Sequence, residues 1–305
     1  MEVSTACPLV SVTVPTYNCR RTLRLCLESV LSQGYPALEV LVVDGGSRDG
    51  TVALAQEMGA RVLSCPGKLL AARMMGAQEA HGEFVLMLDA DQVLKPGAIE
   101  RAVALAQEGP YDMLVLEEES YNRNWAIPRL YAASKVIVNA RFRTEEGFDP
   151  ARGGNPPRLF RRALLLKAME AIPPEVVPHI LHYDHDIIYY ECRKLSQRVG
   201  LLRDAVWHVE PDLRKLVRTN LRYGASLHAV KATPYWSLFL KEREGGIWFG
   251  RPWREGVLAL LLHLLLKTVQ MVGYVGAGVG IVLRRRLPRA PRHRSSSGPQ
   301  ARAPA

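Results

Sequence analysis

The chain has 305 residues, 48% of them hydrophobic, which suits one large globular domain with an appendage and excludes a disordered or collagen-like protein. Its formal charge is +10, and the basic excess falls after residue 193. That balance favours anionic partners, yet no zinc-ligand spacing, basic repeat or interleaved aromatic–basic stretch is present, so nucleic acid is excluded as a partner.

Residues 9–14 read as a strand ended by Pro15. Residues 19–33 repeat apolar side chains at helical spacing until Gly34 and Pro36 break the pattern. Residues 38–43 form a second strand, 49–58 a helix, 61–64 a short strand and 68–81 another helix. Five apolar residues from Phe84 to Leu88 then read as a buried strand that stops on Asp89 and Asp91. Residues 97–108 are helical, and 113–116 are again a strand. Strands alternating with helices give an α/β fold, a mostly parallel sheet covered on both faces. The five cysteines are odd in number and irregularly spaced, as expected for reduced thiols in a cytosolic domain. No charged leader precedes an apolar stretch at the start, so no signal peptide is expected.

Three polar clusters each follow a strand: Thr16-Tyr17-Asn18, then Asp44-Gly45-Gly46-Ser47-Arg48-Asp49-Gly50-Thr51, then Asp89-Ala90-Asp91. In open α/β sheets, ligands sit outside the carboxyl ends of strands. Asp89 and Asp91 supply oxygens that suit Mg²⁺ or Mn²⁺ carrying a diphosphate, or they form an acidic turn before the helix that follows Lys95-Pro96-Gly97. Turn and helix-cap chemistry accounts for Ser47, Asp49 and Gly50, but not for Asp44 at the end of an apolar strand.

Val14-Pro15-Thr16-Tyr17-Asn18, the run from Val42 to Thr51, and Leu88-Asp89-Ala90-Asp91 together resemble the family 2 glycosyltransferases of the GT-A fold, in order and in separation, across about the first 210 residues. Many members carry a second acid where Gly45 stands, so only Asp44 takes that role over. The resemblance implies that Pro15, Thr16, Tyr17, Asn18 and Asp44 hold the nucleotide base and ribose. Asp89 and Ala90 would touch ribose or diphosphate, and Asp91 would bind the metal, with Gln92 in support. Arg73 stands where the family often has a nucleotide-binding arginine, and a solvated helix charge is its alternative; Lys68 has a weaker claim of the same kind. Arg152-Gly153-Gly154-Asn155 is similar to the family's glycine-rich segment beside the sugar, which puts Gly154 and Asn155 on the acceptor side. His182-Tyr183-Asp184-His185-Asp186-Ile187 resembles the Glu-Asp-x-Asp-Leu segment with Tyr183 in place of Glu. Asp184 is then the implied base, with Asp186 close by to raise its proton affinity, and helix capping is the alternative. His208, after a strand at 205–207, completes the metal shell or simply packs. Arg218 belongs to a stretch similar to one the family keeps near the phosphates.

Beyond residue 212 the pattern changes. Leu213, Leu216, Val217, Leu221, Leu227 and Val230 form an apolar stripe opposite Arg214, Lys215, Arg218 and Arg222, the pattern of a basic interfacial helix. Trp236, Phe239, Trp248, Phe249 and Trp253 follow, as at a membrane–water boundary. Residues 257–283 are apolar apart from His263, Lys267, Thr268 and Gln270, long enough for one tilted span and too short for two. The expected divisions are a GT-A domain at 1–212, an amphipathic membrane-interface segment at 213–254, a transmembrane helix at 255–283 and a basic, disordered tail at 284–305. The expected protein is a membrane-attached, metal-dependent, inverting glycosyltransferase whose catalytic domain faces the cytoplasm. Its donor would be a GDP- or UDP-hexose, with GDP-mannose preferred, and its acceptor a lipid-linked glycan. A polyprenyl-phosphate sugar synthase and a non-catalytic nucleotide-binding scaffold are the rival readings. A nucleotidyltransferase would need a glycine-rich phosphate loop near the N-terminus, which residues 15–19 do not provide.

Overall fold

The apolar run after Glu83 forms an interior strand of an eight-stranded sheet in the computed structural model, which describes residues 7–122, 124–144, 156–236 and 253–286. Gly154, Asn155, Phe239, Trp248, Phe249 and the tail from residue 287 lie outside the described residues. The strands are β1 (Val10–Thr16), β2 (Leu38–Asp44), β3 (Arg61–Ser64), β4 (Phe84–Met87), β5 (Gln92–Leu94), β6 (Met113–Ser120), β7 (Leu159–Arg161) and β8 (Val199–His208). The helices are α1 (Arg20–Leu31), α2 (Thr51–Glu57), α3 (Leu69–Glu79), α4 (Ala98–Glu108), α5 (Ala126–Thr144), α6 (Arg162–Met169), α7 (Asp184–Leu195), α8 (Leu213–Lys231) and α9 (Trp253–Arg286). The sheet order is β3-β2-β1-β4-β7-β6-β8-β5, with β1–β2, β2–β3, β1–β4 and β6–β8 parallel and the contacts of β7 and β5 antiparallel.

β4 shows why its sequence does not alternate. Phe84 and Leu86 enter the core shared with α1 and α4, where Leu23, Leu27, Val30, Ile99 and Val103 pack. Val85 and Met87 enter the opposite core with Leu70, Phe160, Leu165, Ile187 and Ile188. A strand buried on both faces reads as a continuous apolar run. Each such side chain, fully withdrawn from water, contributes about 1.5–3 kcal/mol. Parallel neighbours need helical crossovers, so the loops after β1, β2 and β4 all open at one edge of the sheet.

Two strands exceed their expected lengths. β6 continues through Glu117, Glu118 and Glu119 because it pairs with β8 to Ser120, across a register shift between Leu116 and Glu118. β8 covers Val199–His208 for the same reason. β5, α5, β7 and α6 have no counterpart in the sequence reading. β5 and β7 are three residues each, too short for periodicity. α5 packs against β6 on one side and α9 on another, so its apolar positions form no single stripe.

α9 is long and apolar enough to cross a membrane by length and composition. It packs on α8 and α5. Two glycines make the α8–α9 crossing close. A β-carbon on Gly224 would stand 1.8 Å from the Gln270 carbonyl oxygen, and one on Gly273 would stand 2.2 Å from that of Leu221. Neither clash is with a side chain that could swing away. Gly224→Ala is therefore expected to push the helices apart at a cost of about 1–3 kcal/mol. Thermal melts of the full chain check this, with Gly256→Ala as the control that should not lose stability, since nothing lies within 4 Å of its added carbon.

Candidate active site

The register of the sheet brings the first two polar clusters together, because Thr16 at the end of β1 pairs with Asp44 at the end of β2. Asp44 accepts four hydrogen bonds. Thr16 Oγ1 and Ser47 Oγ donate to its Oδ1 at 2.9 and 2.5 Å, and the N–H groups of Gly46 and Ser47 donate to Oδ2 at 2.9 and 2.8 Å. Burial pushes its pKa up, but these bonds, the Ser47 hydroxyl first, hold it below the usual carboxylate range. Four donors fill the lone pairs of a carboxylate. Asp44 thus ties down the loop that follows β2, and it lines neither of the two cavities described next. Asn18, in the left-handed region at φ 50°, completes the tie by accepting the Arg48 N–H at 2.8 Å.

A cavity of about 570 Å³ opens at this edge. One wall is Pro15, Tyr17 and Asn18 from the β1 turn with Asp89, Ala90 and Asp91 from the β4 turn. Arg73, Arg158, Asp184, His185 and Asp186 also line it, as do His208, Lys215 and Tyr223. Leu266 and Gln270 of α9 complete it. A second cavity of about 310 Å³ adjoins it, lined by Thr16, Tyr17, Gly45, Lys68 and Arg222 among others. Tyr17 and Arg222 border both, with the guanidinium 5.6 Å from the ring centroid. Arg218, by contrast, is exposed on α8 and lines neither.

Arg73 is not a solvated helix charge: it is 1% exposed. Its Nη2 pairs with Asp89 Oδ1 and its Nε with Asp184 Oδ2. Arg158 Nη1 takes the other Asp89 oxygen at 3.0 Å. Burial pushes the Asp89 pKa up, yet Arg158 and then Arg73 hold it well below the usual range. Asp184 is buried too, and Arg73 outweighs that burial and keeps its pKa low. The expected influence of Asp186 on Asp184 is therefore reversed. The group that rises is Asp186, pushed up to about 6 by burial and then by the charge of Asp184. His185, packed against Arg158, is lowered to about 4 by burial and by Arg158 and Arg73, so it is neutral at pH 7. Both aspartates lie in the first turn of α7, where the helix dipole favours anions. Tyr183, in the left-handed region at φ 68°, makes the turn into that helix.

Asp91 faces the other way. Its Oδ1 lies 3.5 Å from His208 Nε2 and its Oδ2 3.3 Å from Lys215 Nζ. His208 Nδ1 lies 3.1 Å from Glu210 Oε2, which turns Nε2 toward Asp91. Among the described residues, no three His, Cys, Asp or Glu side chains form a complete metal site. One carboxylate and one imidazole, oriented by a second carboxylate, do fit an ion that draws its other ligands from substrate phosphates and water.

The model of Glycosyl transferase family 2 matches residues 11–167, just over half of the chain. The chain belongs to glycosyl transferase family 2. GlyG of Streptococcus pneumoniae is 32% identical over 123 residues, which cover 38% of this chain and 41% of that protein. AglJ of Haloferax volcanii is 32% identical over 142 residues, 46% of either chain. The chain thus spans less than half the length of these two relatives. Among solved structures, S. aureus TarS 1–349 superposes with a TM-score of 0.53 at 18% identity, covering 90% of this chain and 92% of that one; TarS has also been captured with UDP-GlcNAc. The mannosyltransferase PcManGT of Pyrobaculum calidifontis, in complex with GDP-Man and Mn²⁺, superposes with a TM-score of 0.51 at 20% identity over 93% of this chain and 89% of that one. The fold is GT-A-like.

Four residues of this family 2 site escaped the sequence reading: Arg158, Glu118, Lys135 and Glu210. Gln92 links them to the β4 turn. It accepts the Asp89 N–H at 2.8 Å and donates to Glu118 at 2.6 Å. Glu118 also meets Arg158 and Lys135, each at 3.4 Å, and Lys135 reaches Glu210 at 2.9 Å. One buried chain of alternating charge therefore joins Asp184 to His208 by way of Arg73, Asp89, Arg158, Glu118, Lys135 and Glu210. A legible signal was the run Glu117-Glu118-Glu119 behind an apolar strand. Strand alternation turns the middle glutamate opposite to its neighbours.

Proposed function

We propose that this family 2 chain is an inverting glycosyltransferase that moves a hexose from a nucleotide sugar, GDP-mannose by preference, to a lipid-linked acceptor at a membrane whose cytoplasmic side it occupies. The observation that carries this reading is the make-up of the larger cavity. Strand-end carboxylates, the first turn of α7, and Leu266 and Gln270 of the apolar helix α9 all line it. Homology to proteins captured with GDP-Man or UDP-GlcNAc supports a nucleotide-sugar donor.

In this mechanism Asp184 takes the proton of the acceptor hydroxyl as that oxygen attacks the anomeric carbon, opposite the departing diphosphate. Arg73 keeps Asp184 ionised and aimed, so no prior deprotonation is needed at neutral pH. Lys215 and Arg222, at the rims of the two cavities, bear on the negative charge of the leaving group. Mg²⁺ or Mn²⁺, held by Asp91 and His208, would supply further neutralisation of that charge. Tyr17 and the β1 turn border the smaller cavity, where the nucleoside fits beside Lys68. A polyprenyl phosphate acceptor would need no base, which is where the two transfer readings part.

The test is release of GDP or UDP from GDP- and UDP-hexoses by the full chain in detergent, with and without a membrane lipid extract. Turnover of one donor, stimulated by the lipid fraction and lost in EDTA, is expected. In parallel, Mn²⁺ with nucleotide should raise the melting temperature of the wild type and not of Asp91→Asn. Donor turnover indifferent to EDTA would remove the metal, and turnover on a water-soluble acceptor alone would remove the lipid.

A further inference from the structure

The outer face of helix α9 is apolar apart from Thr268, whose Oγ1 donates to the Leu264 carbonyl at 2.8 Å, and its inner face carries Gln270 beside Leu262 and Leu266. Leu261, Leu264, Met271, Val272, Val275 and Val279 fall at helical spacing on one face, and each is 50–62% exposed. The opposite face carries Gln270, which is 8% exposed and donates to Asn220 Oδ1 at 2.8 Å. The carbonyl of Tyr274 on the same side accepts from His228 Nε2 at 2.8 Å, and the two rings stack with centroids 4.1 Å apart. A surface helix in water has the reverse arrangement. The outer medium that suits this one is hydrocarbon.

A single crossing of that medium takes about 20 mainly apolar residues, and whatever is packed against them must enter the hydrocarbon too. α9 is packed in this way. Gln270 lies under Gly224, Gly273 under Leu221, and Tyr274 and Gly278 against His228, so residues 270–278 are fastened to α8. Leu266 is also committed, as part of the cavity wall. Residues 253–265 on one side and 279–286 on the other are each too short to cross. α8 cannot follow α9 into lipid, because Arg214, Lys215, Arg218 and Arg222 project from it.

We infer that α9 lies in the plane of one leaflet as a monotopic anchor and does not cross the bilayer. This rests on the membrane reading above and changes its geometry. The leaflet it fits is anionic. Residues 213–305 carry 17 lysines and arginines against three acids, whereas residues 1–212 carry 23 against 27, so the whole basic excess of the sequence lies in the part of the chain that contains α8 and α9. Trp253, 69% exposed at the start of α9, suits the headgroup layer. With Leu266 and Gln270 in its wall, the cavity opens at headgroup level. An acceptor can keep its chain in the leaflet while its head enters the site.

The test uses the full chain with a C-terminal epitope tag in sealed membrane vesicles, digested from one side at a time. The expected result is that tag and catalytic domain are cleaved from the same side. A tag protected whenever the catalytic domain is cleaved would make α9 a span and overturn the inference, leaving the membrane reading intact. The second arm is sedimentation with vesicles. The wild type should favour phosphatidylglycerol-containing over pure phosphatidylcholine vesicles. Met271→Glu combined with Val275→Glu should weaken binding at least about tenfold, with little change in melting temperature because both residues lie on the exposed face of α9. Failure to sediment with either vesicle would sink the membrane reading itself. A dimer that the same double variant dissociates would identify a second copy, not lipid, as what covers the stripe.

Discussion

Asp184→Asn is expected to lower transfer to a hydroxyl acceptor at least about a hundredfold while donor binding persists. A sugar hydroxyl attacks slowly until a positioned group removes its proton, and an amide cannot. The substitution also loosens the Arg73 pair, so the variant should be about 1–3 kcal/mol less stable, and donor affinity must be measured on the folded fraction. The pH profile assigns the base independently. Asp184, held low by Arg73, is ionised across the whole range in which Asp186 titrates, so as the base it adds no step of its own to kcat/KM there. Asp186, pushed up to about 6, would give activity that falls as pH drops below that value, because its base form is then lost. Asp186→Asn should be the milder change. Near-normal transfer by Asp184→Asn would favour an acceptor that is already ionised, a polyprenyl phosphate.

Arg73→Met should be the most destabilising single substitution at this site. It removes one cation from two carboxylates, Asp89 and Asp184, in a place shielded from water. Asp89 retains Arg158, but Asp184 is left with no ion pair among the described residues. Breaking a buried pair from one side costs about 3–5 kcal/mol, a large part of the roughly 5–15 kcal/mol that holds a domain together. Arg73→Lys keeps the charge and loses the fork that reaches both aspartates at once, so it should fall between. The midpoint of urea unfolding reads the effect. A second Asp184→Asn change on the Arg73→Met background should be partly restorative, since it neutralises the stranded carboxylate. A wild-type midpoint for Arg73→Met would mean that the arginine is not the counter-charge of these aspartates.

The parts of the fold legible in the sequence were those whose signal is local. β1, β2 and β4 announce themselves by apolar runs that stop on polar residues, and parallel topology alone brings those stops together. The buried charges were hidden because their partners are remote. Asp186, two residues from Asp184, was visible as an influence on it; Arg73, 111 residues earlier, was not, and it dominates. Lys135 went unread because α5 lacks a clear stripe. Arg158 follows two prolines that read as loop, yet its backbone is pinned between strands, with its N–H donating to Leu114 and its carbonyl accepting from Met87, both at 2.8 Å. Asp44 was legible as a residue at a strand end, but its ties were not: three of its four donors come from its own loop and the fourth is Thr16 of the neighbouring strand.

The alternating chain of charges has a thermodynamic corollary. Arg73, Arg158, Lys135 and Lys215 are already paired with Asp184, Asp89, Glu118, Glu210 and Asp91, so these cations are engaged by carboxylates before any donor arrives. A bare diphosphate must compete with those carboxylates, and a bare divalent ion lacks oxygens. Each supplies what the other is missing. Binding of the two is then positively cooperative, and linkage requires that nucleotide tighten the metal by the same factor by which metal tightens nucleotide.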